Sequence, residues 1–184
     1  RKRGITPDPH QRFYLQFGHT TATAINTASN NDCLQWTTDS SGGTIAVTSK
    51  GSRMAIGHIA GRQIALGDIS ITPAVTATGH AAVTLTALDT EDVTTARQLL
   101  VTAAARCANT GMIWASDSKS VTNWGEAPAL AETVPLELSL PGNWRAFALN
   151  ADGSRGEEFV SARNGKLATL RLNAETIWYF LQRI

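Results

Sequence analysis

Alternation of apolar and polar side chains is the feature that most constrains this chain of 184 residues. In residues 133–140 every second position is valine or leucine, and in residues 82–88 valine and leucine alternate with threonine. Successive side chains of a strand point to opposite faces of a sheet, so a period of two indicates a strand with one buried face. A helix, with 3.6 residues per turn, would scatter these apolar side chains around its circumference. The pattern therefore predicts β-structure at the centre of the chain.

Turn sequences divide the rest of the chain into further short strands. Asn164-Gly165 lies between two apolar runs, and this dipeptide favours a hairpin because a type I′ turn needs positive φ at both central residues. The sequence Asn-Ala-Asp-Gly at 150–153 predicts a second turn. The other predicted strands are 13–17, 44–49, 54–59, 64–66, 69–72, 144–149, 158–162, 166–172 and 176–181. Frequent short strands with turns between them favour a sandwich or a barrel.

Residues 92–108 fit two structures. Apolar residues from Val93 to Cys107 recur at helical spacing, and Gly111 stands where a helix-ending glycine could lie. The run 99–105 also fits a fully buried central strand, and period alone does not separate the two for a short apolar run. A strand preceded by one helical turn at 91–95 is the interpretation adopted, on the basis of the resemblance described below.

The chain length and the composition of the first residues indicate how many domains the chain contains. The 184 residues suit one domain, or one domain with an extended arm. Residues 1–12 are basic and contain two prolines, so we expect an arm or linker there, followed by a single domain over 13–184.

The charge balance, the apolar runs and the cysteine spacing give no support for nucleic-acid binding, a membrane span, or a zinc or redox motif. Sixteen basic and fifteen acidic residues give a net charge of +1, which does not favour nucleic acid or an anionic membrane. No apolar run approaches the roughly 20 residues that span a bilayer. Cys33 and Cys107 lack the close spacing of a zinc or redox motif. They are either a disulfide pair or two small buried side chains, and the sequence leaves both possibilities open.

The stretch 109–128 holds the strongest candidates for ligand binding. A tryptophan face can stack on the C–H face of a sugar ring while neighbouring polar groups bind its hydroxyls. This stretch has little strand pattern and mixes aromatic with hydrogen-bonding side chains. The predicted ligand-binding residues are Trp114, Asp117, Asn123, Trp124 and Glu126. The alternative is that both tryptophans pack the loop onto the domain, since large aromatic side chains are buried on average.

The remaining tryptophans are expected to serve packing. Trp178 lies beside Tyr179 and Phe180 in an apolar segment, so we predict that it belongs to the core. Trp36 and Trp144 are expected to pack in the core or at a strand edge.

Catalysis and metal binding find little support in the sequence. A glycosidase needs two carboxylates facing each other across a cleft, and no acidic residue stands in a motif that singles it out. The four histidines share no ligand spacing. We predict no cofactor, although Asp68 and the Asp152-Gly153 pair could contribute to a structural calcium ion.

The order of several short motifs resembles a C-terminal region of large secreted bacterial glycoside hydrolases. The first motifs are Ile-Ser-Ile at 69–71, Ala-Val-Thr-Leu-Thr-Ala-Leu-Asp at 82–89, Arg-Gln-Leu-Leu-Val-Thr-Ala at 97–103 and Arg-Cys-Ala-Asn-Thr-Gly-Met at 106–112. Trp-Gly-Glu-Ala-Pro at 124–128, Ala-Leu-Asn-Ala-Asp-Gly at 148–153 and Thr-Ile-Trp-Tyr at 176–179 complete the series. The likeness covers roughly residues 44–184.

The resemblance implies an all-β fold, an antiparallel β-sandwich of the jelly-roll or immunoglobulin-like kind with at most one short helix, appended to a catalytic barrel. It implies secretion, and as partners a polysaccharide and an upstream catalytic domain in the same chain. No catalytic residue is carried over, because the catalytic acids of such enzymes would lie upstream. Arg106 and Asn109 are expected to be structural, since a long loop needs side chains to satisfy its backbone groups.

Three functions remain open at this point. The first is a non-catalytic carbohydrate-binding domain that targets a parent hydrolase to polysaccharide. The second is a structural sandwich that docks on the catalytic domain without binding sugar. The third is a small all-β enzyme that acts on glycans. Exposure of the tryptophans and the presence of a flat apolar patch should separate the first two.

Overall fold

A computed structural model of the chain describes residues 25–28, 33–40, 42–116 and 120–184, apart from the side chains of residues 25–28 and Asn164. Every regular element in these residues is a β-strand, and no helix occurs among them, so the all-β prediction is confirmed. The proposed arm at 1–12, the predicted strand at 13–17 and the candidate ligand-binding residue Asp117 lie outside the described residues.

The described residues form seventeen strands. In chain order they are β1 (Ile25–Ala28), β2 (Leu34–Asp39), β3 (Gly42–Thr48), β4 (Ser52–Gly57), β5 (Ile64–Leu66), β6 (Ile69–Pro73), β7 (Ala81–Ala87), β8 (Gln98–Thr110), β9 (Ile113–Trp114), β10 (Val121–Asn123), β11 (Glu126–Thr133), β12 (Leu136–Pro141), β13 (Trp144–Leu149), β14 (Arg155–Val160), β15 (Ala162–Asn164), β16 (Leu167–Leu172) and β17 (Trp178–Arg183).

These strands build two main sheets with antiparallel pairing throughout. The large sheet has the order β1-β2-β3-β4-β7-β8-β17-β13-β14, and β11 joins it by pairing with β8. The small sheet has the order β15-β16-β12-β6-β5. Strands β9 and β10 pair with each other. In the large sheet β17 lies between β8 and β13, although it follows them in the chain.

The two main sheets pack face to face around one apolar core, as an antiparallel β-sandwich. Alternate residues of the central strands are buried, for example Val83 and Leu85 of β7 and Leu138 and Leu140 of β12. The largest fully buried side chains are Ile59, Leu66, Ile71, Leu85, Leu99, Leu138, Leu140, Trp144, Leu170, Leu172, Tyr179 and Leu181. Alternation in the sequence therefore identified the buried faces of β7 and β12 correctly, and the predicted sandwich is confirmed.

The alternating run at 133–140 is not one strand. The large-sheet strand β11 ends at Thr133, and β12 of the small sheet begins at Leu136. Between them Val134 remains buried, and the Pro135 carbonyl accepts the Ala74 N–H at 2.8 Å. The chain crosses from one layer to the other here, and because both layers face the same core, the alternation continues across the crossing.

The hairpin predicted at Asn164-Gly165 is present, with its turn one residue later. Asn164 pairs with Leu167, so the two-residue loop is Gly165-Lys166. Gly165 has φ of +64°, a conformation that glycine adopts without steric cost.

The ambiguous segment 92–108 is a single turn followed by a strand. The Asp92 carbonyl accepts the Thr95 N–H at 3.2 Å and the Ala96 N–H at 3.0 Å, and β8 begins at Gln98. The strand interpretation is confirmed. β8 is a central strand with apolar side chains on both faces. Its apolar residues therefore do not alternate with polar ones, and they also fit the spacing of a helix.

Of two tryptophans predicted to serve packing, Trp144 is in the core as expected and Trp178 is not. Trp144 is 1% exposed, and its indole N–H donates to the Pro141 carbonyl at 2.8 Å. Trp178 is 40% exposed, so the prediction that it belongs to the core is wrong. Tyr179 and Leu181 of β17 point into the core, and alternation therefore directs Trp178 to the outer face of the large sheet.

The two cysteines are not joined by a disulfide bond in the structure. Cys107 is exposed on β8, opposite Ala131 of β11.

Candidate functional site

The second half of β8 and the strands β9, β10 and β11 form an extended hairpin, which we call the ribbon (residues 105–116 and 120–132). The registers of β7 and β17 with β8 end at Ala104 and Thr102, and the rest of β8 is paired with β11 among the described residues. Six consecutive residues of β11 are exposed. The ribbon therefore lies at the surface, away from the packed layers.

Local hydrogen bonds fix the backbone at the end of the ribbon. The Asn123 Oδ1 accepts the Gly125 N–H at 2.8 Å, and the Asn109 Nδ2 donates to the Trp124 carbonyl at 3.0 Å. The Thr110 hydroxyl donates to the Pro128 carbonyl at 2.8 Å. Both polar atoms of the peptide group between Trp124 and Gly125 are thus bonded, and satisfying this loop backbone is the kind of role expected for Asn109.

Exposed apolar side chains are concentrated on the ribbon. Trp114 is 45% exposed and Trp124 is 70% exposed, and more than half of Ile113 and of Leu130 faces solvent. The alternative in which both tryptophans pack the loop onto the domain does not describe this arrangement. Exposed aromatic side chains that are held on a fixed backbone are available to a ligand.

One face of the ribbon carries a cleft of about 310 Å³. Its lining comprises Arg106, Ala108, Asn109, Gly111, Met112, Trp114, Leu130, Ala131 and Glu132. The Arg106 Nε and the Glu132 Oε2 lie 3.3 Å apart as an ion pair, without the alignment of a hydrogen bond. The two charges of the pair cancel, so the lining carries no net charge. The cleft thus presents an indole, a guanidinium and a carboxylate.

The structure brings part of the predicted site together. Trp114 lines the cleft, whereas Asn123, Trp124 and Glu126 follow one another at the end of the ribbon outside that lining. The Asn123 Oδ1 is engaged with the Gly125 backbone.

Sequence reasoning missed Leu130 and the pairing of Arg106 with Glu132. Leu130 lies opposite Ala108 in the register of β11 with β8. Leu130 and Glu132 are two residues apart, which in a strand places them on one face. This spacing indicates a site only once β8 is known to be the partner strand.

Metal ligands are not grouped in the described part of the chain. No set of three or more histidine, cysteine, aspartate or glutamate side chains there could hold a metal ion. The Asp152 Oδ1 accepts the Ser154 hydroxyl at 2.6 Å and the Ser154 N–H at 2.9 Å, and these bonds lower the pKa of Asp152. This carboxylate stabilises the turn at 150–153.

Among the described residues, no helix is long and apolar enough to cross a membrane.

Comparison of the chain with protein-family models, curated proteins and solved structures finds no match.

Proposed function

We propose that this protein is a non-catalytic carbohydrate-binding domain whose ribbon cleft receives a sugar ring of a polysaccharide. The observation that carries the proposal is the exposed Trp114 in a cleft beside the ion pair of Arg106 and Glu132. An indole offers an apolar, electron-rich face to the C–H groups of a pyranose. The guanidinium offers N–H donors, and the carboxylate offers acceptors, to the ring hydroxyls.

Charge in the cleft favours a neutral glycan. Arg106 and Glu132 compensate each other, so neither an acidic nor a cationic sugar gains a net attraction. The backbone that carries the ribbon end is fixed by hydrogen bonds from Asn109 and Asn123, which lowers the entropy lost when a ligand orders the site.

The carboxylates of the cleft support a non-catalytic role. Glycoside hydrolysis generally uses two carboxylates, about 5–5.5 Å apart in retaining and 6.5–9.5 Å apart in inverting enzymes. Of the described residues that line the cleft, Glu132 alone carries a carboxylate, and it is paired with Arg106. In our proposal the domain is secreted and targets a parent glycoside hydrolase to its polysaccharide.

Trp114→Ala should weaken binding of a neutral polysaccharide about fivefold to tenfold, because one stacking contact is worth on the order of 1 kcal/mol. Calorimetry against soluble plant and algal polysaccharides measures the affinity, with a thermal melt to check folding. Trp36→Ala is the matched control, since Trp36 lies on β2, outside the ribbon. Equal loss of affinity in both variants would contradict the assignment of Trp114.

A second candidate function is docking on another domain. On the outer face of the large sheet, Leu34, Trp36, Ile45, Val47, Met54 and Ile56 form what we call the apolar face. Trp36, Ile45 and Ile56 occupy one cross-strand row, and Leu34, Val47 and Met54 occupy the next. In β4 the residues that alternate with Met54 and Ile56 are buried, so these two point away from the core. The face carries no charged side chain, which favours an apolar surface of the parent catalytic domain as its occupant.

Met54→Asp should weaken association with the separately produced catalytic domain by at least tenfold, because it places an unpaired charge in an apolar interface. Titration calorimetry measures this association. The same variant should bind polysaccharide with unchanged affinity, since Met54 is in β4 and not on the ribbon. Undiminished association of Met54→Asp would exclude this face as the contact.

A further inference from the structure

Strand β8 carries a bulge where the ribbon begins. Ala104 pairs with Thr133 and Cys107 pairs with Ala131, so β8 advances by three residues while β11 advances by two. Thr133 and Ala131 point to one face of the sheet because they are two residues apart, and their partners Ala104 and Cys107 share that face. The extra residue therefore reverses which of the following positions of β8 face outward.

The bulge directs the ribbon cleft and Trp178 to opposite faces of the large sheet. Trp178 of β17 pairs with Thr102, which lies on the outer face together with Cys107. Arg106 and Ala108 adjoin Cys107 in the chain, so they point the other way, into the ribbon cleft that they line. A sugar chain that lies straight along one face therefore contacts one of these two surfaces and not both.

A second cleft, of about 380 Å³, surrounds Trp178 and shares no described lining residue with the ribbon cleft. Two loops form its walls, and hydrogen bonds fix both. The Thr176 hydroxyl donates to the Leu149 carbonyl at 2.7 Å, and the Asn150 Nδ2 donates to the Ser154 hydroxyl at 2.9 Å. The indole of Trp178, which is 40% exposed, thus stands on a fixed backbone.

The chemistry of this second cleft suits a ligand with an apolar face and several hydroxyl donors. Glu157 and Glu175 in its lining are exposed, and neither belongs to an ion pair among the described residues. No arginine or lysine is among the described residues of the lining, so an anionic glycan is disfavoured. The carboxylates can accept hydrogen bonds from hydroxyls while the indole of Trp178 stacks on a ring.

We infer that the Trp178 cleft is a second glycan-binding site, independent of the ribbon cleft, and that one molecule of the protein bridges two neutral polysaccharide chains. The two sites point to opposite faces, so each takes its own chain, and neighbouring chains of a polysaccharide are held together through the domain. This inference rests on the proposed carbohydrate binding and adds to it a second site and a cross-linking activity.

Nuclear magnetic resonance reports on the two sites separately, because each of the five tryptophans gives its own indole N–H signal. Cello-, xylo- and galacto-oligosaccharides are titrated into the labelled protein. We expect the signals of Trp114 and Trp178 to shift and to saturate independently, and those of Trp36 and Trp144 to stay in place. Trp178→Ala should weaken binding at its own cleft about fivefold to tenfold and leave the affinity reported by Trp114 unchanged, because sites without shared partners are additive.

Light scattering from soluble xylan, β-glucan and galactan measures bridging. Wild type should raise the scattering of a polysaccharide that it binds, and the signal should fall again in excess protein, when every chain is saturated. Trp114→Ala and Trp178→Ala should each lower the scattering several-fold, since bridging needs both sites. Trp36→Ala, which alters neither cleft, is the control and should scatter as wild type does.

A further variant keeps the test decisive if Trp178→Ala folds poorly. Glu157→Gln preserves the shape of the side chain and removes its charge, and it should weaken binding at the second site a few-fold. A response of Trp114 without one of Trp178 overturns the second site and leaves the proposed function intact, and binding at both clefts without scattering overturns the bridging. If no tryptophan signal responds to any of the glycans, the proposed function fails as well.

Discussion

Replacing Trp144 by alanine should lower the free energy of unfolding by about 3–5 kcal/mol, which is the usual cost of truncating a fully buried tryptophan. Trp144 is 1% exposed, and the Arg183 guanidinium lies 4.8 Å from the centre of its ring. The substitution removes the ring from the core and deprives the Pro141 carbonyl of its indole donor. The melting temperature should fall by roughly 10 °C or more.

Trp178→Ala is the matched control for this experiment, because it removes the same side chain from a site that is 40% exposed. Its cost should be about 1–2 kcal/mol, since less apolar surface returns to water. Urea denaturation followed by circular dichroism measures both variants. If Trp178→Ala proved as destabilising as Trp144→Ala, the assignment of Trp178 to the outer face would be wrong.

Gly125→Ala should disrupt the end of the ribbon and lower glycan affinity at least tenfold. Gly125 has φ of +65°, and an added Cβ would lie 2.2 Å from the Thr110 carbonyl oxygen and 2.7 Å from the Met112 nitrogen. Both contacts are with backbone, so no side-chain rotation relieves them. The ribbon has to shift, and the positions of Trp114 and Trp124 shift with it.

Gly111→Ala separates this clash from the cost of the backbone conformation alone. Gly111 has φ of +70°, and nothing lies within 4 Å of a Cβ added there. We expect Gly111→Ala to cost about 1 kcal/mol and to keep most of the affinity. Titration calorimetry and amide exchange of the ribbon compare the two. Similar behaviour of both variants would show that the close approach at Gly125 has no part in shaping the site.

Much of the sandwich could be predicted because its signals are local. The strand at 144–149 was predicted with its observed limits, and the hairpin at Asn164-Gly165 was predicted to within one residue. In a strand with one face on the core, every second side chain is buried, so this pattern can be found within a few neighbouring residues of the sequence. The crossing at Val134-Pro135 could not be found in the same way, because the alternation is unchanged when a strand moves to the other layer.

The candidate site was less predictable because it depends on pairing across the chain. Composition identified Trp114, but its neighbour Glu132 reaches the cleft only through the register of β11 with β8. Trp178 was misplaced for a related reason. An aromatic run such as Trp178-Tyr179-Phe180 indicates a strand without telling which of its two faces is inward, and the neighbouring strands decide that.

The central position of β17 has a consequence for how the protein is made. Strands β8 and β13 are not paired with each other, and β17 separates them in the large sheet. A ribosome therefore has to synthesise the chain through Arg183 before these two halves of the sheet can be joined. Until then, the sheet edges at β8 and β13 are open to pairing with other chains. Recovery of soluble protein should thus depend on how quickly β17 is inserted between β8 and β13.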